Sequence, residues 1–492
     1  GIYLDKLNLV NIPGTSKTNT ITFKSESADS SKVILKLTGD DYNQSFIKVK
    51  DCSNLIFESL GFITDAPHGN SYVMTLENSR NIDIHNCSID NAQWQDNGIN
   101  IINNCDSIKV SQNRLRGSAG GTAITVSGPG TKNIEITKNL CENYNSVWMS
   151  SVAIYQASHV HLLNNTITDN ALGINILYSD SCIIYNNVIN DVYTGIYLRD
   201  CSALEISANR ITNIKNNYEF LDDCYGIYLG GSNQIKTFNN YIHTLGDRKM
   251  SGIIINNSHY TELYFNSINI TNIDSYGENK GVEIISGDNL ILKNNIFNIK
   301  HNGFPAFIHI PISSLSIDFN DYNSSDRNIG FYNGNKYSDL LAWNDSLETD
   351  MHSKSIEPFF SNDTLLSINQ ILLNGAAVSI NEIPYDIDSA LRDPANPDMG
   401  AKEFNPCLTD AGINNVISPV SPANIGQQDI IVQLQNHGTE PLSSVLIHWS
   451  INNILQEPFY WTGTLSSAEN IDVNIGAFDF QGGKIYSILV WT

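Results

Sequence analysis

Residues 173–194 read GINILYSDSCIIYNNVINDVYT, and residues 195–216 read GIYLRDCSALEISANRITNIKN. The two stretches align without a gap at a period of 22 residues. Each opens on Gly-Ile-x-[Ile/Leu], passes through a short polar turn with Ser or Cys, and continues as x-Ile-x-x-Asn-x-Ile. Apolar residues alternating in two short runs, with turn residues between them, predict two strands per repeat. A fixed period this short predicts a solenoid, in which each repeat buries its apolar face only against its neighbours.

The pattern extends in both directions. The first strand opens at Phe46, Val73, Gly98, Ala123, Ser151, Gly173, Gly195, Gly226, Gly252 and Gly281. An asparagine recurs after the second strand at Asn113, Asn139, Asn165, Asn187, Asn209, Asn240, Asn266 and Asn295, followed two residues later by an apolar residue. Asparagine carries both donors and acceptors, so a stacked row of them at an inward bend can satisfy turn backbone along the axis. With strands about 4.8 Å apart, roughly eleven coils make a rod on the order of 50 Å long. A left-handed hexapeptide helix is disfavoured, because its shorter period would be strictly kept.

The repeat and its asparagine row resemble the right-handed parallel β-helix of the pectate-lyase-like superfamily, over about residues 1–325. The fold class this implies is all-β: a right-handed parallel β-helix solenoid followed by a C-terminal Ig-like β-sandwich. The sequence divides accordingly into 1–325 (β-helix), 326–405 (cap and tail) and 406–492 (sandwich). In the tail, Asp386, Asp388, Arg392, Pro397, Asp398, Gly400, Ala401 and Glu403 resemble a motif that follows β-helices in secreted Bacteroidetes-type proteins. It reads as the C-terminal cap and exit turn. Asp386, Asp388 and Asp398 are candidate Ca²⁺ ligands, since hard cations take carboxylate oxygens. From Pro406 the pattern alternates, with strands around Asn436–His437–Gly438 and further strands at 471–475 and 484–491, which suggests a β-sandwich. The Asn-x-Gly-Thr turn and Trp449 on the following strand resemble bacterial CARDB-type adhesion modules.

Composition excludes some functions. The chain has 51 acidic against 28 basic residues and a net charge of −23, which argues against nucleic acid as a partner. No run of 18 apolar residues is present. The opening GIYLDKLNLV already lies inside a strand-like pattern, so the sequence reads as an excerpt of a longer precursor. Of eight cysteines, Cys52, Cys105 and Cys201 share one turn position, Cys87 stands where later coils have Asn, and Cys141 where they have Ile. They read as buried thiols rather than disulfides or a metal site.

Length variation falls almost wholly between the last apolar residue of a coil and the opening residue of the next. From Ile167 to Gly173 and from Ile189 to Gly195 the step is short, and in the flanking coils it is longer. Loops of uneven length on one side of a repeat array usually form its binding face, and two short ones between longer ones predict a depression. This corner and the strand beside it collect Trp94, Trp148, Asp169, Asn175, Tyr193, Tyr197, Tyr228, Arg248 and Lys249 as candidate substrate-binding residues. Aromatic rings beside polar groups suit sugars, whose apolar faces stack on rings while the hydroxyls find acceptors. Asp191 with Asp222 or Asp223 could supply the paired carboxyls of a glycoside hydrolase. Leu-Asp-Asp-Cys at 221–224 resembles the Asp-Asp-Cys of polygalacturonases, although that family's Asn-Thr-Asp and Gly-His-Gly are missing. Arg199 is the candidate for the base or charge-neutralising group of a lyase. The function expected is a secreted or cell-surface, bacterial, extracellular protein that binds polysaccharide, acidic glycans included, and cleaves it as lyase or hydrolase. The alternative is a non-catalytic adhesin or polysaccharide-binding part of a larger protein.

Overall fold

A computed structural model describes the chain except for residues 5, 38–44, 65–70, 92–96, 118–119, 145–148, 216–223, 247–248, 272–276, 327, 361–367 and 369. The chain divides into two compact units, one comprising residues 1–357 with 377–395 and 399–402, the other comprising 358–376, 396–398 and 403–492.

The first unit is a parallel β-solenoid of three strand ladders. The first ladder runs through Ser45–Lys50, Tyr72–Glu77, Asn97–Ile102, Ile124–Ser127 and Ser150–Tyr155, and later through Cys224–Gly230, Met250–Asn256, Asn279–Ile284 and Gly303–Ile308. The second runs from Ile21–Lys24 to Leu315–Asp318. The third includes Ser88–Asn91, Arg114–Arg116, Leu140–Glu142, Arg210–Ile214, Tyr241–Thr244 and Ser267–Ile270. A coil therefore holds three strands where the sequence pattern predicted two, because the third is short and its apolar signal is a single residue.

The two 22-residue repeats are distinct in this frame. Strand Thr166–Leu177 pairs with the third-ladder strand Leu140–Glu142 and also with the first-ladder strand Ser150–Tyr155. Strand Val188–Arg199 likewise pairs with both Arg210–Ile214 and Cys224–Gly230. Each crosses the corner without a loop, and the first and third ladders fuse into one 25-stranded sheet. The bend is made at Asp169 and Asp191, whose φ values of 57° and 60° are left-handed. Aspartate tolerates that conformation better than most residues. At the start of the first strand the chain passes close to the third strand. A Cβ on Gly173 would lie 2.8 Å from Ile189 Cγ2, and one on Gly195 would lie 2.5 Å from Ile211 Cγ2. Glycine is required there by space.

The interior is stacked rows. Ile176, Leu198, Leu229 and Ile255 lie fully buried along the first ladder, and Ile184, Ile206 and Leu263 along the second. Each such side chain stabilises by about 1.5–3 kcal/mol. Between the second and third ladders the asparagine row is continuous. Asn187 Nδ2 donates to Asn209 Oδ1 at 3.0 Å and to Leu162 O at 2.9 Å, while its own Oδ1 accepts from Asn165 N and Nδ2 at 2.9 and 3.0 Å. The same geometry links Asn113, Asn139 and Asn165 below it and Asn209, Asn240, Asn266 and Asn295 above. It extends one coil beyond the expected row, to Asn320, which passes its backbone N–H to Ser353 Oγ. At the other end Cys87 N donates to Asn113 Oδ1. Cys87 thus occupies the asparagine position, as expected, and Cys141 stands between Leu115 and Ile167. Seven cysteines are buried free thiols and Cys407 is an exposed one.

Past the last coils, helix Leu340–Leu347 is capped by Asp339, which accepts from Ala342 N. It buries Trp343 against Tyr322 and Tyr337. The tail motif, expected as an exit turn, runs along the flank of the solenoid over several coils. Asn239 Nδ2 donates to Tyr385 O, Asn294 exchanges two hydrogen bonds with Val378, and Ala401 N donates to Ser267 Oγ. Arg392 donates to Asn239 Oδ1 and Gly400 O and lies 3.9 Å above the Phe265 ring.

The second unit contains a β-sandwich. Ala411–Ser418, Gly426–Asn436 and Asn470–Phe480 form one antiparallel sheet. Leu442–Ile451, Ile454–Leu455, Phe459–Leu465 and Ile488–Trp491 form the other. Val432, Leu434, Ile447, Trp449, Trp461 and Val473 fill the space between them. The Trp449 ring packs where a side chain at Gly476 would stand, and its Nε1 donates to Glu457 O. Asn436 closes the turn that follows it by donating to Glu440 O and accepting from Gly438 N.

Candidate functional site

The outward positions of the first ladder are in register from coil to coil. One row reads Thr125, Ala153, Asn175, Tyr197, Tyr228, Ile254, Glu283 and Phe307. Two residues further along, a second row reads Ser127, Tyr155, Leu177, Arg199, Gly230 and Asn256. Both rows point out because residues i and i+2 of a strand share a face.

The rows are aromatic over the middle coils. Tyr197 and Tyr228 stack with ring centroids 4.7 Å apart and planes 4° from parallel, and Tyr225 leans against Tyr228. Asn256 Nδ2 donates to the Tyr228 hydroxyl at 3.2 Å. Asn175 Nδ2 donates to the Tyr155 hydroxyl at 3.4 Å, and its Oδ1 is buried with no hydrogen-bond partner among the described residues. Partial burial raises the pKa of Tyr155 and of Tyr197, the latter also through Tyr228. These hydroxyls therefore stay protonated and able to donate. Tyr178 is exposed at the end of the same strand as Asn175.

Arg199 is exposed and pairs with Asp200 at 3.3 Å. Its pKa is raised by Tyr178 and Asp200 nearby, so the guanidinium stays charged at neutral pH. Asp191 pairs with Lys215, and Asp169 stands opposite Asp191 in the neighbouring strand. Both carboxylates sit at the left-handed bends, which gives them a backbone reason to be there. Tyr193, expected to face ligand, is 9% exposed and belongs to the core. With no loop at this corner the side chain after Val192 turns in against the packed rows. Lys249 accepts from Cys224 N through its carbonyl, and its side chain lies against Gly277. Trp94, Trp148, Asp222, Asp223 and Arg248 lie outside the described residues. The face thus brings together Asn175, Tyr197, Tyr228 and Arg199, and places Asp169 and Asp191 at the adjoining bends.

Two residues on this face, Tyr155 and Lys280, escaped the sequence reading. Tyr155 lies in the same row as Arg199, four residues after an opening position in each case, so counting from the opening residue would have found it. Further along, Lys280 and Glu283 form a buried ion pair. Lys280 Nζ lies 3.9 Å from the Phe307 ring centroid, and Phe307 stacks on Phe331 at 4.3 Å. The repeat marks Glu283 as an outward position of its strand but not Lys280, which precedes the opening glycine and stands in register with the uncharged Ser251 and Phe304.

The candidate Ca²⁺ ligands all accept hydrogen bonds or ion pairs from the protein. Asp386 accepts from Asp388 N and Ala390 N, Asp388 pairs with Arg210 and Lys402, and Asp398 accepts from Asn374, Gly375 and Phe404. Each carboxylate is already committed to protein donors. Among the described residues, no group of three or more His, Cys, Asp or Glu side chains is placed to hold a metal. No helix is long and apolar enough to cross a membrane among them.

The family model described as "Right handed beta helix region" matches residues 72–242. No curated protein matches the chain. Among solved structures it is similar to the A-module of a mannuronan C-5 epimerase of Azotobacter vinelandii, at 10% identity and a TM-score of 0.40, over 66% of this chain and 89% of that one. It is also similar to a tailspike protein of E. coli bacteriophage HK620, at 10% identity and a TM-score of 0.40, over 93% and 86% of the two chains. A pectate lyase shows 14% identity and a TM-score of 0.32, over 82% of this chain and 88% of its own.

Proposed function

We propose that this protein binds polysaccharide along the outward face of the first ladder, on the coils that carry Asn175, Tyr197, Arg199 and Tyr228. The observation that carries the reading is the stacked pair Tyr197–Tyr228 on consecutive coils. Stacked rings on a rigid scaffold offer apolar platforms at fixed spacing, and sugar faces pack on such platforms. Around them stand donors that stay protonated, the Tyr155 hydroxyl and the Arg199 guanidinium. A guanidinium at the edge favours a glycan with carboxylate groups, which it can hold by charge-assisted hydrogen bonds.

Binding is the part of the function this geometry supports best. Of the expected hydrolytic carboxylates, Asp191 is engaged by Lys215. Arg199 serves as an anchor for substrate charge. The protein is then an extracellular or cell-surface binding protein, with a CARDB-like Ig module as a spacer or adhesive tail. The test is affinity electrophoresis and calorimetry with alginate, pectin and neutral glucans, for the native protein and for Tyr197→Ala/Tyr228→Ala. Retention by at least one acidic glycan, weakened about tenfold or more by the double substitution, is the expected result. Equal retention by both proteins would sink the assignment. Following unsaturated product by absorbance and reducing ends in the same mixtures reads any lyase or hydrolase activity directly.

A further inference from the structure

The β-sandwich of the second unit has two outer faces, and they differ in kind. An antiparallel sheet with one face on a core ordinarily carries polar residues on the other. The sheet of Ala411–Ser418, Gly426–Asn436 and Asn470–Phe480 keeps to this, and a row across its outer face reads Asn415, Gln433 and Asp472. The other sheet does not. On Leu442–Ile451 the side chains of Val445, Ile447, Trp449 and Ile451 fill the core, so the residues between them face out. Leu446 stands opposite Tyr460, His448 opposite Trp491, and Ser450 opposite both Leu455 and Leu489. The three leucines are exposed, Tyr460 is 62% exposed and Trp491 38%. One row further on, Ser444 opposite Thr462 adds hydroxyls.

Charge and size select what this face can hold. Residues 403–492 carry eight Asp or Glu and one Lys, yet no position in these rows is Asp, Glu, Lys or Arg. An uncharged face in acidic surroundings favours an uncharged partner. An anionic glycan meets repulsion there, and so does a second copy of a chain with net charge −23. The exposed apolar surface is on the order of 500 Å², whereas a stable protein interface takes about 800 Å² from each partner. Tyr460 and Trp491 lie on strands to either side of Leu442–Ile451, because Ser450 pairs with Leu455 on one side and with Leu489 on the other. Two strand spacings across and two residues along put their backbones about 12 Å apart. His448 backs the Trp491 ring, with centroids 5.7 Å apart and planes 15° from parallel, and so holds its orientation.

From this geometry we infer that the outer face of this sheet binds an uncharged β-glucan chain, with Tyr460 and Trp491 as two separate platforms and the Ser444 and Thr462 hydroxyls at the rim. Equatorial hydroxyls leave both faces of a glucose ring as C–H surface, which packs on aromatic rings. Platforms about 12 Å apart are too far from each other for one sugar to cover both, so an oligosaccharide spans them and gains from each. The inference rests on the sandwich alone. It does not depend on the first-ladder face, which favours the opposite kind of glycan.

Affinity electrophoresis of the whole chain in hydroxyethylcellulose and in mixed-linkage β-glucan tests it, together with titration by cellobiose and cellohexaose. Retention by at least one polymer is expected, with cellohexaose bound tenfold or more tighter than cellobiose. Tyr460→Ala/Trp491→Ala is expected to weaken both polymer and cellohexaose binding tenfold or more and to leave acidic-glycan retention as it was. Trp491→Phe, which keeps a ring, is expected to retain most of the affinity. Tryptophan emission decides the matter if the double variant does not fold: cellohexaose is expected to change it in the native chain and to change it far less in Trp491→Phe. No retention by either polymer, equal affinity for the two oligosaccharides, an emission change that Trp491→Phe keeps in full, or binding that survives the double substitution would overturn the assignment. So would a dimer in sedimentation equilibrium that the same substitutions dissociate, since a second copy would then occupy the face. Glucan binding kept in Tyr197→Ala/Tyr228→Ala supports the sandwich as its site, and glucan binding lost there would move it to the first ladder.

Discussion

The inward asparagine row and the outward tyrosine row obey different rules. Inside, Asn113 to Asn320 repeats one residue on every coil, because each side chain must donate to the next and accept from the last. Outside, the first-ladder row passes from Thr125 and Ala153 through Asn175 to Tyr197 and Tyr228, then to Ile254 and Glu283. Nothing about winding a solenoid asks for tyrosine on two consecutive coils. Where the outer row departs from its surroundings, the cause is sought in what it contacts.

The sharpest way to test this division is to break the inner row. Asn187→Ala removes the acceptor of Asn165 N and Nδ2 and a donor to Leu162 O and Asn209. Leaving such buried groups unpaired costs about 1–3 kcal/mol each, so a total of about 2–4 kcal/mol is expected after partial relaxation. Chemical denaturation, read by far-ultraviolet circular dichroism, measures it. A loss under about 0.5 kcal/mol would mean that the row is ornamental.

The next largest effect concerns the end of the solenoid. Asp321 is fully buried and accepts from Ile356 N through Oδ1, while its Oδ2 has no partner among the described residues. Burial pushes its carboxyl up to about 8. Since the folded state holds this proton more tightly than the unfolded chain does, the contribution is full below about pH 4, where both states are protonated. It declines as pH rises towards 8. Asp350, pushed up to about 6 by burial despite hydrogen bonds from Ser353 and Trp343, acts in the same direction over a narrower window. Asp321→Asn keeps the shape and removes the titration, so its midpoint of thermal unfolding is expected to fall less between pH 5 and 8 than that of the native protein. Parallel curves would refute the assignment.

Much of this was legible from residue spacing. The 22-residue alignment, the asparagine row and the position of the buried thiols all follow from steric and hydrogen-bonding demands repeated on every coil. The third ladder was not legible, because a three-residue strand such as Leu140–Glu142 leaves one inward side chain and no alternation. Tyr193 was misread for a related reason. In a loop it would face solvent, but strands Thr166–Leu177 and Val188–Arg199 run through the corner, and only the left-handed aspartates signal the bend. The tail motif was recognised as a unit and misplaced, because its partners Asn239, Asn294 and Ser267 are distant in sequence. Glu283 belongs to the outward row, but Lys280 stands where the neighbouring coils carry Ser251 and Phe304, so no periodicity could reveal their pairing.

The outer row offers the converse of Asn187→Ala. Tyr197 and Tyr228 are half-buried, and their rings rest on each other rather than in the core. Tyr197→Ala alone is expected to cost about 1 kcal/mol of stability or less, most of it the aromatic pair. It should weaken acidic-glycan retention severalfold. A fold lost with Tyr197 would place the tyrosines with the asparagines, as structure, and would end the distinction between the rows.

The smallest expected effect tests the same division without any substitution. Cys87, Cys141 and Cys182 occupy inward positions, and burial pushes each thiol up to about 12. The thiolate is the reactive form, so these side chains are inert at neutral pH. Cys407 is exposed in the second unit. Brief treatment of the native protein with iodoacetamide is therefore expected to add a single carbamidomethyl group, at Cys407, with no change in unfolding midpoint. In denaturant all eight cysteines should react. A second adduct under native conditions, mapped to Cys87, Cys141 or Cys182, would show that the inner rows open on the timescale of the reaction. The packing that sets them apart from the outer face would then be looser than the continuous asparagine row implies.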